Sequence, residues 1–114
     1  MMRSTKLNKP LTNEEKIKAI QYAIDNPNTE EVYYKLLDDI DGLKRNYWDY
    51  MTTEPINCDT ELERLPEADW DLACALLTML LREDHFCNGS LMERHSSGQV
   101  DAILNRMIVV LKEM

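Results

Sequence analysis

Residues 70–107, WDLACALLTMLLREDHFCNGSLMERHSSGQVDAILNRM, constrain the fold more than any other part of this chain. Leu72, Leu76, Met79 and Leu80 form one stripe at helical spacing, and Ala73, Leu77 and Leu81 cover much of the remainder. A helix apolar almost all round is buried on several sides. The expectation is therefore a central helix over about 70–83, opened by Asp69 as N-cap, with the other elements wrapped around it. It ends near Glu83-Asp84, and His85-Phe86-Cys87-Asn88-Gly89 reads as a turn. Ser90 and Glu93 have capping-box spacing and open a short helix, which Ser96-Ser97-Gly98 stops. Val100, Ile103, Leu104, Met107, Ile108 and Leu111 then repeat the i, i+3, i+4, i+7 pattern of an amphipathic helix packed on the central one.

The first half is less regular. Residues 1–11 read as a flexible N-terminus. Thr12 and Glu15 form a capping box ahead of a helix with Ile17, Ile20, Ala23 and Ile24 on one stripe, stopped at Asn26-Pro27. Thr29 caps a second helix, with Val32, Leu36, Ile40, Leu43, Tyr47 and Tyr50 as its stripe. That stripe runs through Gly42, which costs a helix interior about 1 kcal/mol relative to alanine. One long helix with a weak point is the preferred reading, and a break near Asp41-Gly42 the alternative. Residues 52–66 show no period and read as a connector, with one short turn around Asp59 to Glu63. No segment alternates as a strand does. The expected fold is all-α, a compact bundle of about five helices in one domain over 12–114.

Charge and cysteine usage narrow the function classes. The net charge is −8. Affinity for nucleic acid comes largely from Lys and Arg replacing counterions, so direct nucleic-acid binding is disfavoured. Arg3, Lys6, Lys9, Lys16 and Lys18 are a mild basic cluster, read as a solvated tail and helix face. No run approaches the roughly 18 apolar residues of a membrane span, and the polar N-terminus lacks a signal-peptide core. A cytoplasmic location is expected. Three cysteines, Cys58, Cys74 and Cys87, without an export signal point to reduced thiols.

Asp71-Leu72, Leu76-Leu77-Thr78, Arg82, Phe86-Cys87, Gly89, Leu91, Ser97-Gly98 and Ala102-Ile103-Leu104 occur in this order. The pattern resembles a small prokaryotic helical family of unknown function over about residues 69–107. The family often carries a second basic residue where this chain has His85. The resemblance implies a small helical domain and no particular activity.

Several constellations compete with plain structural roles. Around the 82–89 turn, Arg82, His85 and Phe86 offer an aromatic anchor with two groups able to grip an anion. The structural reading is preferred: Phe86 a core plug, Cys87 a small filler, Arg82 paired with Glu83, Asp84 or helix-end carbonyls, and Gly89 at positive φ. For zinc, the candidates Cys58, Cys74, His85, Cys87 and His95 lack paired Cys-x-x-Cys spacing. Asp39-Ile40-Asp41-Gly42 resembles the middle of an EF-hand loop, but Leu37 and Trp48 would stand where carboxylate ligands are needed. Ser90, Ser96 and Ser97 near His95 are explained as caps, and a Cys87–His85 pair is the remaining nucleophile–base candidate. No catalytic residue, metal site or cofactor is assigned.

Tyr34, Tyr47 and Trp48 on the second helix are the other candidate contact residues, because Tyr and Trp are common interface anchors. Together with Arg82, His85 and Phe86 they suggest a small acidic protein-interaction or regulatory module, bound to a protein partner or to itself as a homodimer. One alternative is an acidic inhibitor or adaptor that occupies the basic groove of a nucleic-acid-binding protein. The other is a metal-dependent or thiol enzyme.

Overall fold

A computed structural model describes residues 11–26 and 29–114. The expectations for residues 1–10, including Arg3, Lys6 and Lys9, lie outside these. Among the described residues there are six α-helices and no strand. They are α1 (Asn13–Asp25), α2 (Glu30–Asp39), α3 (Cys58–Leu62), α4 (Trp70–Phe86), α5 (Ser90–Ser96) and α6 (Gln99–Glu113). Two 3-10 turns, Tyr47–Tyr50 and Leu65–Glu67, punctuate the connections.

The α4 helix is the hub. The Leu72 N–H donates to Asp69 Oδ1 at 2.8 Å, so Asp69 caps it as its residue type dictates. Every residue over 73–81 is buried. Both α6 and α5 pack on it, as do α2, α3 and the Tyr47–Tyr50 turn, while α1 lies chiefly on α6. Each leucine in this hub contributes about 1.5–3 kcal/mol by leaving water. The α6 stripe is buried as its periodicity requires, with Val110 added. Arg106 crosses from α6 to donate to the Ala68 carbonyl at 2.8 Å, tying the C-terminal helix to the entry of α4.

The two ends of the first half depart from each other in how local signals act. At α1 the capping box forms in full: the Glu15 N–H donates to Thr12 Oγ1 at 3.1 Å and the Thr12 N–H to Glu15 Oε1 at 2.8 Å. The single long second helix does not form. The α2 helix stops at Asp39, and the chain reverses through Asp41, whose φ is 61°. The Gly42 N–H donates to Leu37 O at 2.7 Å and the Asp41 N–H to Asp38 O at 3.2 Å, the two bonds of a Schellman stop. Asp41, not Gly42, takes the left-handed conformation. Gly42 is needed for another reason: a Cβ there would lie 2.7 Å from Cys74 Sγ and 3.3 Å from Trp70. The backbone beyond α2 can press directly on α4 only because position 42 has no side chain.

Beyond the hub, α4 continues one turn past the expected stop at Glu83-Asp84, closed by the Cys87 N–H donating to Glu83 O at 2.8 Å. That turn overturns three expectations, and one is Cys87, expected as a small filler but exposed. Phe86 is 74% exposed and plugs no core, because i, i+4 spacing puts it on the same face as exposed Arg82. The Ser90–Glu93 capping box is also absent. Gly89, at φ 96°, is the N-cap, and Ser90 donates to Glu83. Asp84 accepts from the Leu91 N–H at 2.9 Å, so the end of α4 caps the start of α5. Gly98, at φ 83°, separates α5 from α6 as its residue type predicts.

The connector is organised by a residue that no periodicity marks. Glu61, on the expected short turn that becomes α3, is fully buried. Its carboxylate accepts from the Thr52 N–H at 2.9 Å, the Thr53 N–H at 2.7 Å and both threonine hydroxyls. Arg64 Nη1 completes the set at 2.8 Å and also donates to the Tyr50 carbonyl. Burial by itself would raise the Glu61 pKa, but these donors outweigh it and hold the carboxyl down to about 2.

Candidate functional site

The α2 helix, the Tyr47–Tyr50 turn and the last turns of α4 meet at one face of the bundle. Gly42 permits the close approach that seats the segment after α2 against Trp70 and Cys74. The 3-10 turn that follows carries Tyr47 and Trp48, which therefore do not stand on the second helix as expected. Their rings meet edge to face at 5.5 Å, and Trp48 is 57% exposed. Tyr34 reaches the same face from α2, half-buried. Arg82, His85 and Phe86 complete it from α4.

Two shallow clefts run side by side here. The first, of about 260 Å³, is walled by Tyr34, Tyr47 and Trp48, with Lys44, Arg45 and Arg82 contributing cations. Leu43 and Thr78 close it, and no carboxylate lines it. The second, of about 230 Å³, is bounded by Ile56, Cys58, Met79, Glu83 and Phe86. Tyr47 and Arg82 belong to both and form the dividing wall. The six residues singled out in the sequence thus share one face: five line the clefts, and the His85 ring stacks edge-on against Phe86 at 5.1 Å.

The cations of this face differ in what they already bind. Lys44 is committed to Asp71 at 2.7 Å, and that hydrogen bond raises its pKa. Arg82 lies over the Phe86 ring at 5.6 Å, a cation–π contact, and beside the Tyr34 hydroxyl. It pairs with neither Glu83 nor Asp84, contrary to the structural role expected for it, because Glu83 is held by Arg94 and Asp84 caps α5. Arg82 and Arg45 form no ion pair with a described residue. The Tyr34 hydroxyl is buried without a well-formed hydrogen bond, and burial raises its pKa against the opposing effect of Arg82. Glu30 approaches His85 Nδ1 at 3.9 Å, at the α2 side of the face.

Reading the sequence missed Lys44, Arg45, Ile56 and Met79. Spacing along the chain links Met79 to Arg82, three residues on in α4, but not Lys44, Arg45 or Ile56; only the reversal at Asp41 brings residues 43–48 back onto α4. Thr78 was visible in the hub but is a structural hydroxyl, donating to the Cys74 carbonyl at 2.9 Å.

Around Arg94 the polar side chains are engaged within the chain. Arg94 donates to Glu83 through Nε at 3.0 Å and Nη2 at 2.8 Å, and to Asp59 at 2.6 Å and Gln99 at 2.9 Å. This pairing lowers the Glu83 pKa and raises that of Arg94. His95 Nε2 lies 3.0 Å from the hydroxyl of buried Tyr33, and Ser97 donates to the Arg94 carbonyl. Burial pushes the thiols of Cys58 and Cys74 up to about 12, which leaves them protonated and unreactive. Cys87 is exposed beyond the end of α4, and His85 turns its ring to Phe86. Among the described residues no three His, Cys, Asp or Glu side chains group to hold a metal ion, and no helix is long and apolar enough to cross a membrane.

No curated protein and no solved structure matches the chain. A family model does match it, over residues 2–113, far beyond the stretch that carried the resemblance in the sequence. The chain therefore belongs to a family of unknown function, DUF6508.

Proposed function

We propose that this chain is a protein-interaction or regulatory module that works in the prokaryotic cytoplasm and binds a partner through the aromatic and cationic face between α2 and the end of α4. One observation carries the reading. Tyr34, Tyr47, Trp48, Arg82 and Phe86 converge on adjoining clefts, with arginines unpaired among the described residues, in a chain of net charge −8. Exposed tryptophan, tyrosine and arginine are the residue types that dominate binding energy at protein interfaces. A catalytic reading would rest on the cleft lined by Glu83, Cys87, Ser90 and Arg94, where Ser90 and Arg94 are already bound to Glu83 and no histidine lines the wall. The acidic-mimic reading draws on net charge alone.

Affinity capture from the native cell tests the proposal, run in parallel with the wild type and a Trp48→Ala/Phe86→Ala variant of matched thermal stability. A protein retained by the wild type and lost from the variant supports the face as the binding surface. Equal retention by both removes the face from the proposal. Light scattering on the purified chain decides whether the partner is a second copy of itself.

A further inference from the structure

We infer that the two clefts together read a short extended partner segment that presents an acidic side chain and, next on the same side of its backbone, an apolar one. This rests on the interaction-module reading above and goes on to name what the face recognises. The first cleft is built for a carboxylate. Arg82 and Arg45 are free of ion pairs among the described residues, the buried Tyr34 hydroxyl lacks a well-formed hydrogen bond, and no acidic residue lines the walls. An incoming carboxylate would supply the acceptor that Tyr34 lacks and the counter-charge that Arg82 lacks, and charge-assisted bonds of this type are the strong ones. Lys44 takes little part because Asp71 already holds it.

The second cleft is built for an apolar side chain. Ile56, Met79, Tyr47 and Phe86 line it, and its one carboxylate, Glu83, is locked to Arg94 by two hydrogen bonds. Methionine adapts its shape to varied apolar groups, and Phe86 stands out from the surface as a ready wall. Because Arg82 and Tyr47 border both clefts, the two side chains must be close in the partner. Side chains two apart on an extended chain point the same way, which fits two pockets that share a wall. Glu30, beside His85 at the rim, disfavours a segment acidic throughout and favours a single carboxylate aimed at Arg82.

The test is selection of a phage-displayed library of random linear peptides on the full-length protein, followed by titration of a synthetic peptide by calorimetry. The inference predicts peptides in which Asp or Glu stands two positions from Leu, Ile, Met or Phe. Changing that acid to its amide should weaken binding about tenfold or more. Arg82→Gln should do the same, and the two changes together should cost little more than either alone, since both remove one contact. Peptides that bind this face, as judged by loss with Trp48→Ala and Phe86→Ala, but carry no acid or show additive losses would overturn the inference and leave the module reading standing. Failure to select any peptide, or binding indifferent to every variant of the face, would overturn both.

Discussion

Two polar clusters of this protein are built from similar residue types and end in opposite states. At Glu61 a buried carboxylate meets two backbone amides, two hydroxyls and an arginine, so its acceptor capacity is filled from within the chain. At the Tyr34–Arg82 face two arginines stand without an ion pair among the described residues, and the buried Tyr34 hydroxyl, beside Arg82, has no well-formed hydrogen bond to an acceptor. The first cluster joins segments close in sequence and shuts a loop. The second joins α2, a 3-10 turn and α4, and stays open to solvent. Buried polar groups left unmade are expensive, which explains the saturated cluster by stability, whereas the exposed arginines of the second keep water that a ligand can replace. The same contrast separates Arg94 on α5, engaged with Glu83, Asp59 and Gln99, from Arg82 on α4.

The contrast breaks most readily at Glu61. Replacing it with Gln sets an amide donor against backbone N–H groups and leaves Arg64 without its carboxylate, and unfolding in urea should show a loss of about 3 kcal/mol. Its pH signature has a definite sign. The folded pKa of about 2 lies below the ordinary 4.5, so the stabilisation is complete above the ordinary value and disappears as pH falls through about 2. Stability measured between these limits should decline more steeply in the wild type than in Glu61→Gln; parallel curves would show that the carboxylate is not the group holding the connector.

A middle-sized effect is expected where the open face is docked. Gly42→Ala puts a Cβ 2.7 Å from Cys74 Sγ and should lower stability by about 2 kcal/mol. Adding Cys74→Ala removes the clashing sulfur, and the double variant should recover most of that loss of Gly42→Ala relative to Cys74→Ala alone. Simple additivity would mean that position 42 is limited by its backbone and not by the contact.

The smallest effects belong to the open face itself. Trp48→Ala, Phe86→Ala and Arg82→Gln should each change thermal stability by less than about 0.5 kcal/mol, as is usual for exposed side chains outside a structural network. A larger loss at Arg82 would move it to the saturated class and remove the argument for a ligand.

Much of this was legible along the chain, and the misses have a common cause. Elements whose partners lie within a helical turn were readable: the Thr12–Glu15 box, the Asp69 cap, the α6 stripe and the left-handed glycines at 89 and 98. The aromatic and basic residue types that line the face were visible in the sequence. Their company was not, because Lys44 and Arg45 reach Arg82 only after the chain reverses at Asp41. Phe86 misled because apolar character favours burial in general, whereas its exposure follows from one extra helical turn beyond the hub. Ser90 misled because a carboxylate seven residues back outcompeted the local cap.

By itself the sequence determined an all-helical chain around the residue 73–81 hub, since short-range periodicity and capping depend only on neighbours three or four positions away. Only the tertiary structure decided where α2 ends, which acid the connector closes on, and which cations remain unpaired among the described residues. Those outcomes depend on groups far apart in the chain competing for the same hydrogen bonds and the same space, and no local pattern records who wins.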